Sequence, residues 1–268
     1  MNIITFPGFN LVLKVKQVAF SILGIDIYWY AILIVTAITI GILIYKINDG
    51  MYGIKFTDIT DLMIYIIPIS IISARIYYVL FNLESYSKNL KNMFNIRNGG
   101  LAIYGGIIGA VITCVIFAKK RKINLLNLLD YLVISLPIGQ AIGRWGNFIN
   151  IEAYGISTNL PWRMGIIENL RYIEVHPTFL YESIVDIIIF IILIKLKNKN
   201  HYNGFLTYLY IVLYSFARFF IEGIRTDSLM LANIRISQAF SAVLFVAFLI
   251  ILVYKKVKNM KKDRTVIK

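Results

Sequence analysis

Cysteine, histidine and acidic residues are all scarce in this chain of 268 residues. The single cysteine, Cys114, excludes a disulfide within the chain, and no cysteine pair is available to bind a metal. The two histidines, His176 and His201, lie too far apart in sequence for a zinc-binding spacing. Against 14 acidic residues stand 28 lysines and arginines, which gives a net charge of +14. We interpret Cys114 as a small packing residue.

Long apolar runs dominate the rest of the composition. Hydrophobic residues make up 59% of the chain and the mean hydropathy is +0.72, whereas soluble domains are about 45–50% apolar. The composition therefore predicts an all-α polytopic membrane protein. In such a chain, basic residues mark cytoplasmic loops and contact anionic membrane lipid. We therefore expect no nucleic-acid partner, despite the positive charge.

Seven apolar segments come close to the ~20 residues that a helix needs to cross a bilayer. We expect them to form seven transmembrane helices in one integral membrane domain that covers residues 1–268. Small extracytoplasmic elements, such as a hairpin, are expected in residues 1–26, followed later by an extracytoplasmic loop at 143–177 and a basic tail at 255–268. The predicted spans are residues 28–45, 62–83, 99–118, 125–142, 178–196, 204–221 and 236–254.

The distribution of lysine and arginine predicts the orientation of these spans. The tail and the loops at 46–61, 119–124 and 195–203 hold most of the basic residues outside the spans. The side of a membrane protein that is richer in lysine and arginine is normally cytoplasmic. We therefore expect the N-terminus outside and the C-terminus in the cytoplasm. This orientation places the polar loops at 84–98, 143–177 and 223–235 at the outer leaflet.

The segment 139–155, GQAIGRWGNFINIEAYG, concentrates polar side chains beside an apolar span. Arg144 offers a planar fork of donors that suits phosphate or carboxylate. Asn147 and Asn150 can donate and accept hydrogen bonds, and Glu152 adds a carboxylate. A snorkelling arginine at a helix end, among small packing residues, is the simpler interpretation. A polar cluster this dense next to a bilayer more often indicates a functional site.

Three further residues fall on the same predicted side of the membrane. His176 precedes Pro177 at the start of the fifth span, Arg225 follows the sixth, and Tyr104 lies between two glycine pairs in the third. Each also has a simpler interpretation: a capping histidine, a snorkelling arginine, and an aromatic residue of the interfacial belt. Taken together, Arg225 and Arg144 form a candidate clamp for a lipid phosphate.

Ionisable side chains within the predicted spans are costly in lipid, so they normally face the helix bundle and pair with one another. Arg218 and Glu222 are four residues apart, on one helical face, and are expected to pair. Arg75 is expected to pair with Asp130 or with Glu182. These pairs are interpreted as structural, and Glu222 is also a candidate for substrate binding. The ionisable residues within the predicted spans are Arg75, Asp130, Glu182, Asp186, Arg218 and Glu222, and no role is predicted for Asp186.

The motifs GRWGNFINIEAYG, HPTFLYE and FARFFIEGIRTDS, with a GG-x-x-x-x-GG opening to the third span, closely resemble those of the prolipoprotein diacylglyceryl transferases. They occur in order along residues 28–238. The resemblance implies a seven-span enzyme of the bacterial plasma membrane that needs no metal or organic cofactor. Such enzymes move the diacylglyceryl group of phosphatidylglycerol to the lipobox cysteine of a prolipoprotein that still carries its signal peptide. The products are a thioether-linked lipid and glycerol phosphate.

The resemblance also implies roles for individual residues. Arg144 matches an essential arginine of the family, and Asn147, Glu152 and Gly155 match its neighbours in the same motif. Arg225 matches a second essential arginine. The resemblance therefore agrees with the phosphate clamp that the residues themselves suggest.

Activation of the acceptor thiol is open between several groups. Tyr30 matches an early functional tyrosine of the family, and many members carry a histidine where this chain has Tyr104. That histidine is proposed to be the base. Here Tyr104 could act as the base or as a hydroxyl ligand of phosphate or thiolate, the arginines could lower the thiol pKa directly, or His176 could take the proton. We favour Tyr104 as a hydroxyl ligand.

A non-catalytic lipid-binding or transport protein is the competing class. Transporters of many folds have internal repeats and broken helices near the middle of the membrane. The sequence has no convincing repeat between its halves, and its polar groups gather at one predicted face. The transferase is therefore the favoured interpretation.

Overall fold

A computed structural model describes residues 2–83, 86, 93–94, 99–199, 201–232 and 234–266. Most of the predicted loop at 84–98 therefore lies outside the described residues. The described chain is mostly helical. Its helices are α1 (Trp29–Ile47), α2 (Phe56–Leu80), α3 (Ile103–Arg121), α4 (Leu125–Val133), α5 (Leu136–Asn150), α6 (Thr178–Leu196), α7 (Phe205–Ile224) and α8 (Ile236–Val266).

Five of the described helices are long and apolar enough to cross a membrane, namely α1, α2, α3, α7 and α8. Helices α4 and α5 make a sixth span if they are counted together, although they meet at a bend of 45°. Helix α6 has the length of a span but carries Glu182, Asp186 and Lys195. The protein is thus a multi-pass membrane protein with five or six apolar spans.

The predicted boundary between the fourth span and the loop at 143–177 is wrong. Helix α5 does not stop at residue 142 but continues to Asn150, where Ile151 adopts a left-handed conformation (φ 54°, ψ 53°). The apolar run ends earlier because Arg144 and Asn147 are polar, but a helix can continue through polar residues that find partners inside the protein. These two side chains are therefore held on a rigid helix rather than on a loop.

Two other helix ends differ from the prediction. The third predicted span starts at Gly99, but α3 starts at Ile103, because Gly99 and Gly100 have φ values of +81° and +78° that a helix cannot contain. The last predicted span ends at residue 254, but α8 continues to Val266 into the basic tail.

Strands occupy the N-terminal region and the connections between α5 and α6 and between α7 and α8. The strands are β1 (Asn2–Phe6), β2 (Leu11–Val15), β3 (Val18–Ile22), β4 (Ile25–Tyr28), β5 (Met164–Glu168), β6 (Arg171–Val175), β7 (Met230–Leu231) and β8 (Ile234–Arg235). A four-stranded antiparallel sheet has the order β2-β1-β5-β6, and two separate hairpins pair β3 with β4 and β7 with β8.

The sheet packs on the adjoining ends of α5 and α6. Its buried side chains include Ile4, Ile166 and Val175, which form one apolar cluster with Phe148 of α5 and Phe179 of α6. Burial of side chains of this size stabilises the fold by roughly 1.5–3 kcal/mol each. This cluster fixes the sheet against the two helices that carry the candidate site.

The chain divides into two compact units, Met1–Ile44 with Leu132–Lys268, and Tyr45–Tyr131. In the second unit, α2 and α3 run antiparallel. A Cβ added to Gly105 would lie 2.4 Å from the Cβ of Tyr77, and one added to Gly109 would lie 2.5 Å from the Oγ of Ser73. Glycine is therefore required at both positions for the two backbones to approach this closely.

Arg75 in α2 binds backbone carbonyls of the same unit. It donates hydrogen bonds to the carbonyl oxygens of Met93 (2.8 Å), Gly99 (2.8 Å) and Gly100 (2.9 Å). These contacts hold the glycine turn that precedes α3. The pairing of Arg75 with Asp130 or Glu182 stays a prediction.

Candidate functional site

Glu182 in α6 lies at the centre of a cluster of three arginines. Its Oε2 is 2.5 Å from Nη2 of Arg144, and its Oε1 is 2.6 Å from Nη1 of Arg218 and 3.6 Å from Nη1 of Arg225. Only 4% of the Glu182 side chain is exposed. One buried carboxylate therefore joins α5, α6, α7 and the segment after α7. We name these four residues the arginine cluster.

Two further carboxylates complete the charge pairing of the cluster. Glu222, which is 2% exposed, lies 2.5 Å from Nη2 of Arg218 and 3.9 Å from Nε of Arg225. This confirms the pair of Arg218 with Glu222 that the four-residue spacing predicts. Asp227 accepts two hydrogen bonds from Arg225, at 2.9 Å from Nε and 2.7 Å from Nη2. The guanidinium of Arg225 is thus engaged by carboxylates on all of its nitrogens.

Arg144 projects from α5, and some of the N–H groups of its guanidinium are not used by its contacts. Its Nη1 donates to Oδ1 of Asn147 at 3.3 Å, and Asn147 in turn donates to Oε1 of Glu152 at 2.7 Å. Asn150 approaches the same Glu152 oxygen at 3.5 Å. With its side chain 21% exposed, Arg144 is the most accessible of the three arginines. Since a guanidinium has five N–H donors, these contacts leave some of them for a ligand.

Backbone pairing places Arg225 beside the motif that follows α5. Gly155 and Arg225 form an antiparallel bridge, and the amide of Gly155 donates to the carbonyl of His176 at 3.0 Å. The amide of Ile156 donates to the carbonyl of Ile224 at 2.8 Å. A Cβ on Gly155 would lie 2.7 Å from the Cβ of His176, so only glycine fits. Gly155 is therefore a structural requirement for bringing these segments together.

Tyr30 packs on the same stretch of α5 that carries Arg144. A Cβ added to Gly146 would lie 2.2 Å from Cδ2 of the Tyr30 ring. The ring thus rests directly on the backbone at Gly146. The predicted site residue Tyr30 is thereby brought to the helix of Arg144.

His176 does not join the arginine cluster. Its Nδ1 lies 3.1 Å from the hydroxyl of Tyr181, which also accepts a hydrogen bond from Nε1 of Trp162 at 2.7 Å. Burial lowers the pKa of His176 below its ordinary value, so the imidazole is neutral at pH 7. Its position favours a role in holding the start of α6.

Tyr104, Arg75 and Asp130 belong to the second unit and are described within it. Tyr104 lies in the first turn of α3, next to the close contact of Gly105 with Tyr77. Asp130 is buried in α4, with 1% of its surface exposed. The roles assigned to these residues from the sequence stay predictions.

Burial and neighbouring charges shift the pKa values of Asp227 and Tyr154, which lie beside the arginine cluster. Burial opposes ionisation of Asp227, but its hydrogen bonds with Arg225 and the charge of that guanidinium prevail and hold the pKa of the carboxyl below its ordinary value. Tyr154 donates to Glu168, and burial together with this hydrogen bond raises the pKa of Tyr154 to about 12. Asp227 is therefore an anion and Tyr154 a neutral donor at pH 7.

The sequence predicts no role for Asp186, and it predicts Glu182 only as a member of a structural ion pair. Asp186 is 1% exposed, and within the described part of the chain neither of its carboxylate oxygens has a hydrogen-bond partner. It follows Glu182 by four residues on α6 and lines a small cavity together with Tyr214 and Arg218. The i, i+4 spacing of two acidic residues in an apolar helix was the signal that could have identified both.

Comparisons with known proteins cover nearly the whole chain. Residues 17–254 match a family model described as prolipoprotein diacylglyceryl transferase. A protein of Finegoldia magna named phosphatidylglycerol–prolipoprotein diacylglyceryl transferase is 47% identical over 248 residues, which is 92% of this chain and 98% of that protein. Proteins of the same name are 47% identical in Clostridioides difficile, over 91% of this chain and 96% of that protein, and 43% identical in Listeria innocua, over 93% of each.

Proposed function

The chain belongs to the prolipoprotein diacylglyceryl transferase family, and from this premise we infer that it transfers the diacylglyceryl group of phosphatidylglycerol to a prolipoprotein. The acceptor is the thiol of a lipobox cysteine. Its sulfur forms a bond to the carbon of the diacylglyceryl group that carries the phosphate ester, while the bond from that carbon to the phosphate oxygen breaks. The thiol proton passes to water or to the departing phosphate, and glycerol phosphate leaves with the bonding electrons.

The arginine cluster is the observation that carries this proposal. Departure of glycerol phosphate develops negative charge on phosphate oxygens, and fixed guanidinium groups stabilise such charge. Arg144 binds the donor phosphate first, because it is the most accessible of the three arginines and has unused N–H donors. Its anchor on Glu182 fixes the direction in which those donors point.

Arg225 supplies the second part of the phosphate clamp. Its fork is occupied by Asp227, but the Asp227 side chain is 48% exposed and can turn toward solvent. A bidentate phosphate would then replace a bidentate carboxylate on the same guanidinium, with similar geometry. On this proposal Asp227 holds Arg225 in position until the donor lipid arrives.

Thiol activation is assigned to the hydroxyl of Tyr104, acting as a ligand of phosphate or thiolate rather than as a base. A tyrosine hydroxyl is usually a poor base at neutral pH. Its place in the motif is that of the family histidine. The positive charge of the arginine cluster favours the thiolate over the thiol, which has an ordinary pKa of about 8.5.

We propose that the protein crosses the membrane seven times. Helix α6 counts as one of them and α4 with α5 as another, with the N-terminus outside, the C-terminus cytoplasmic and the arginine cluster toward the outer leaflet. Reporter fusions after Lys122 and at the C-terminus should then read as cytoplasmic, and fusions within 156–172 as external. An external reading after Lys122 would reverse the site relative to an exported substrate.

An assay with purified protein tests the activity directly. The protein is mixed with radiolabelled phosphatidylglycerol and a synthetic peptide that carries a lipobox cysteine. We expect label in the peptide and stoichiometric release of glycerol phosphate. The same peptide with serine in place of the cysteine is the control. Binding of phosphatidylglycerol without transfer to the cysteine peptide would contradict the proposal and favour a non-catalytic lipid-binding protein.

A further inference from the structure

An apolar groove lies between α2 and α3, within the second unit. Its volume is about 430 Å³, within the range of about 300–1,000 Å³ that ligand sites commonly have. The floor includes Thr113 and Phe117, which are buried, whereas Tyr65 and Ile112 on the walls are about half exposed. The groove is therefore concave and open to the surroundings of the helices.

The groove results from the way in which the two helices pair. Near the start of α3 the backbones touch at Gly105 and Gly109. Toward the end of α3 the facing residues are larger, and Arg121 forms an ion pair with Asp61 across the gap. The helices are thus in close contact at the glycines, and the groove lies along the part of α3 that leads to Arg121. From Ile112 to Arg121 the open part extends roughly 13 Å at 1.5 Å per residue.

One end of the groove is basic. Lys120 and Arg121 line it, and they belong to the run of four basic residues at 119–122. Arg121 is held by Asp61 and lies over the ring of Phe117, 5.6 Å from its centroid. Among the described residues, no carboxylate forms an ion pair with Lys120. The groove therefore combines an apolar channel with an uncompensated positive charge at its mouth.

We propose that this groove binds one anionic phospholipid, with an acyl chain along the apolar walls and the phosphate at Lys120. The charge complementarity determines the occupant, because basic pockets between transmembrane helices bind anionic headgroups. The length of the open part, roughly 13 Å, is close to the thickness of about 15 Å that one leaflet contributes to the hydrocarbon core. Such a lipid would fill the groove between α2 and α3, and it would be a structural ligand distinct from the donor substrate.

Native mass spectrometry of the full chain in detergent tests this site. Phosphatidylserine and phosphatidylcholine with identical acyl chains serve as probes, because neither is the proposed donor. The wild-type protein should retain more phosphatidylserine. Lys120→Gln should lower that retention about fivefold, the factor that corresponds to ~1 kcal/mol for one basic residue near a lipid surface. Lys119→Gln removes the same charge outside the groove and should have little effect.

A second pair of variants tests the apolar channel without changing charge. Ile112→Trp partly fills the groove, whereas Val111→Trp adds the same side chain to a neighbouring position that does not line it. Both positions are 52% exposed in the wild-type protein. Retention of phosphatidylserine should fall only for Ile112→Trp. Equal retention of both lipids by the wild type, equal loss in both tryptophan variants, or a second protein chain bound in place of lipid would overturn the proposal.

Discussion

Replacing Arg144 with lysine separates charge from geometry at the candidate site. The guanidinium binds Glu182 at 2.5 Å and Asn147 at 3.3 Å through different nitrogens, and it keeps further donors for phosphate. A lysine has one nitrogen at the end of a flexible chain, so it cannot hold Glu182 and the donor phosphate in the same arrangement. Arg144→Lys therefore keeps the positive charge but loses the directed contact.

The structure gives the size of the expected effects. Loss of one charge-assisted contact to the transition state costs about 2–4 kcal/mol, or roughly 10²–10³ in rate. The effect on folding should be smaller than the 3–5 kcal/mol that removing one partner of a buried ion pair typically costs. This is because Glu182 retains Arg218 at 2.6 Å and Arg225 at 3.6 Å. Activity should thus fall roughly 10²–10³-fold in a variant that remains folded.

The measurement is kcat/KM for labelled phosphatidylglycerol with a lipobox peptide, alongside thermal unfolding of the same preparations. Arg163→Lys is the matched control. Arg163 also pairs with one carboxylate, that of Glu174 in β6, and is similarly exposed at 26%, but it lies just before β5 rather than in the arginine cluster. It should keep nearly full activity. If Arg144→Lys retained near wild-type kcat/KM, or if both lysine variants lost activity equally, the proposed phosphate contact would be wrong.

Three other predictions follow from single positions. Gly146→Ala should lower the free energy of unfolding by about 1–3 kcal/mol, because the new methyl group would meet the ring of Tyr30. Gly143→Ala is the control: it has open space around it and should be neutral or stabilising when both variants are compared by thermal unfolding. The pKa of Asp227 is lowered in the folded protein, so its carboxylate stabilises the fold only while it is ionised. The free energy of unfolding of the wild type should therefore exceed that of Asp227→Asn above about pH 4, and this difference should disappear as the pH falls further. A difference that grew in acid would contradict this. Tyr104→Phe should lose about tenfold or more in activity, since a hydrogen bond to a charged group contributes roughly 1.5–3 kcal/mol, whereas His176→Ala should lose less, and the reverse order would make the histidine the base.

Hydrophobic pattern and motif determined the class of this protein. Apolar runs of bilayer length predict membrane helices because the backbone must satisfy its own hydrogen bonds in lipid. The spacing of Arg218 and Glu222 alone predicts their ion pair, since residues four apart share a helix face. The motifs around Arg144 and Arg225 were specific enough to predict the family.

The tertiary structure decided how these residues meet. Glu182 joins Arg144 to Arg218 and Arg225, which are more than 70 residues further along the sequence, and hydropathy carries no information about which charges face each other. The same limit explains the misplaced end of α5. Polar residues such as Arg144 and Asn147 are compatible with a loop or with a helix, and the choice depends on whether partners surround them once the chain has folded.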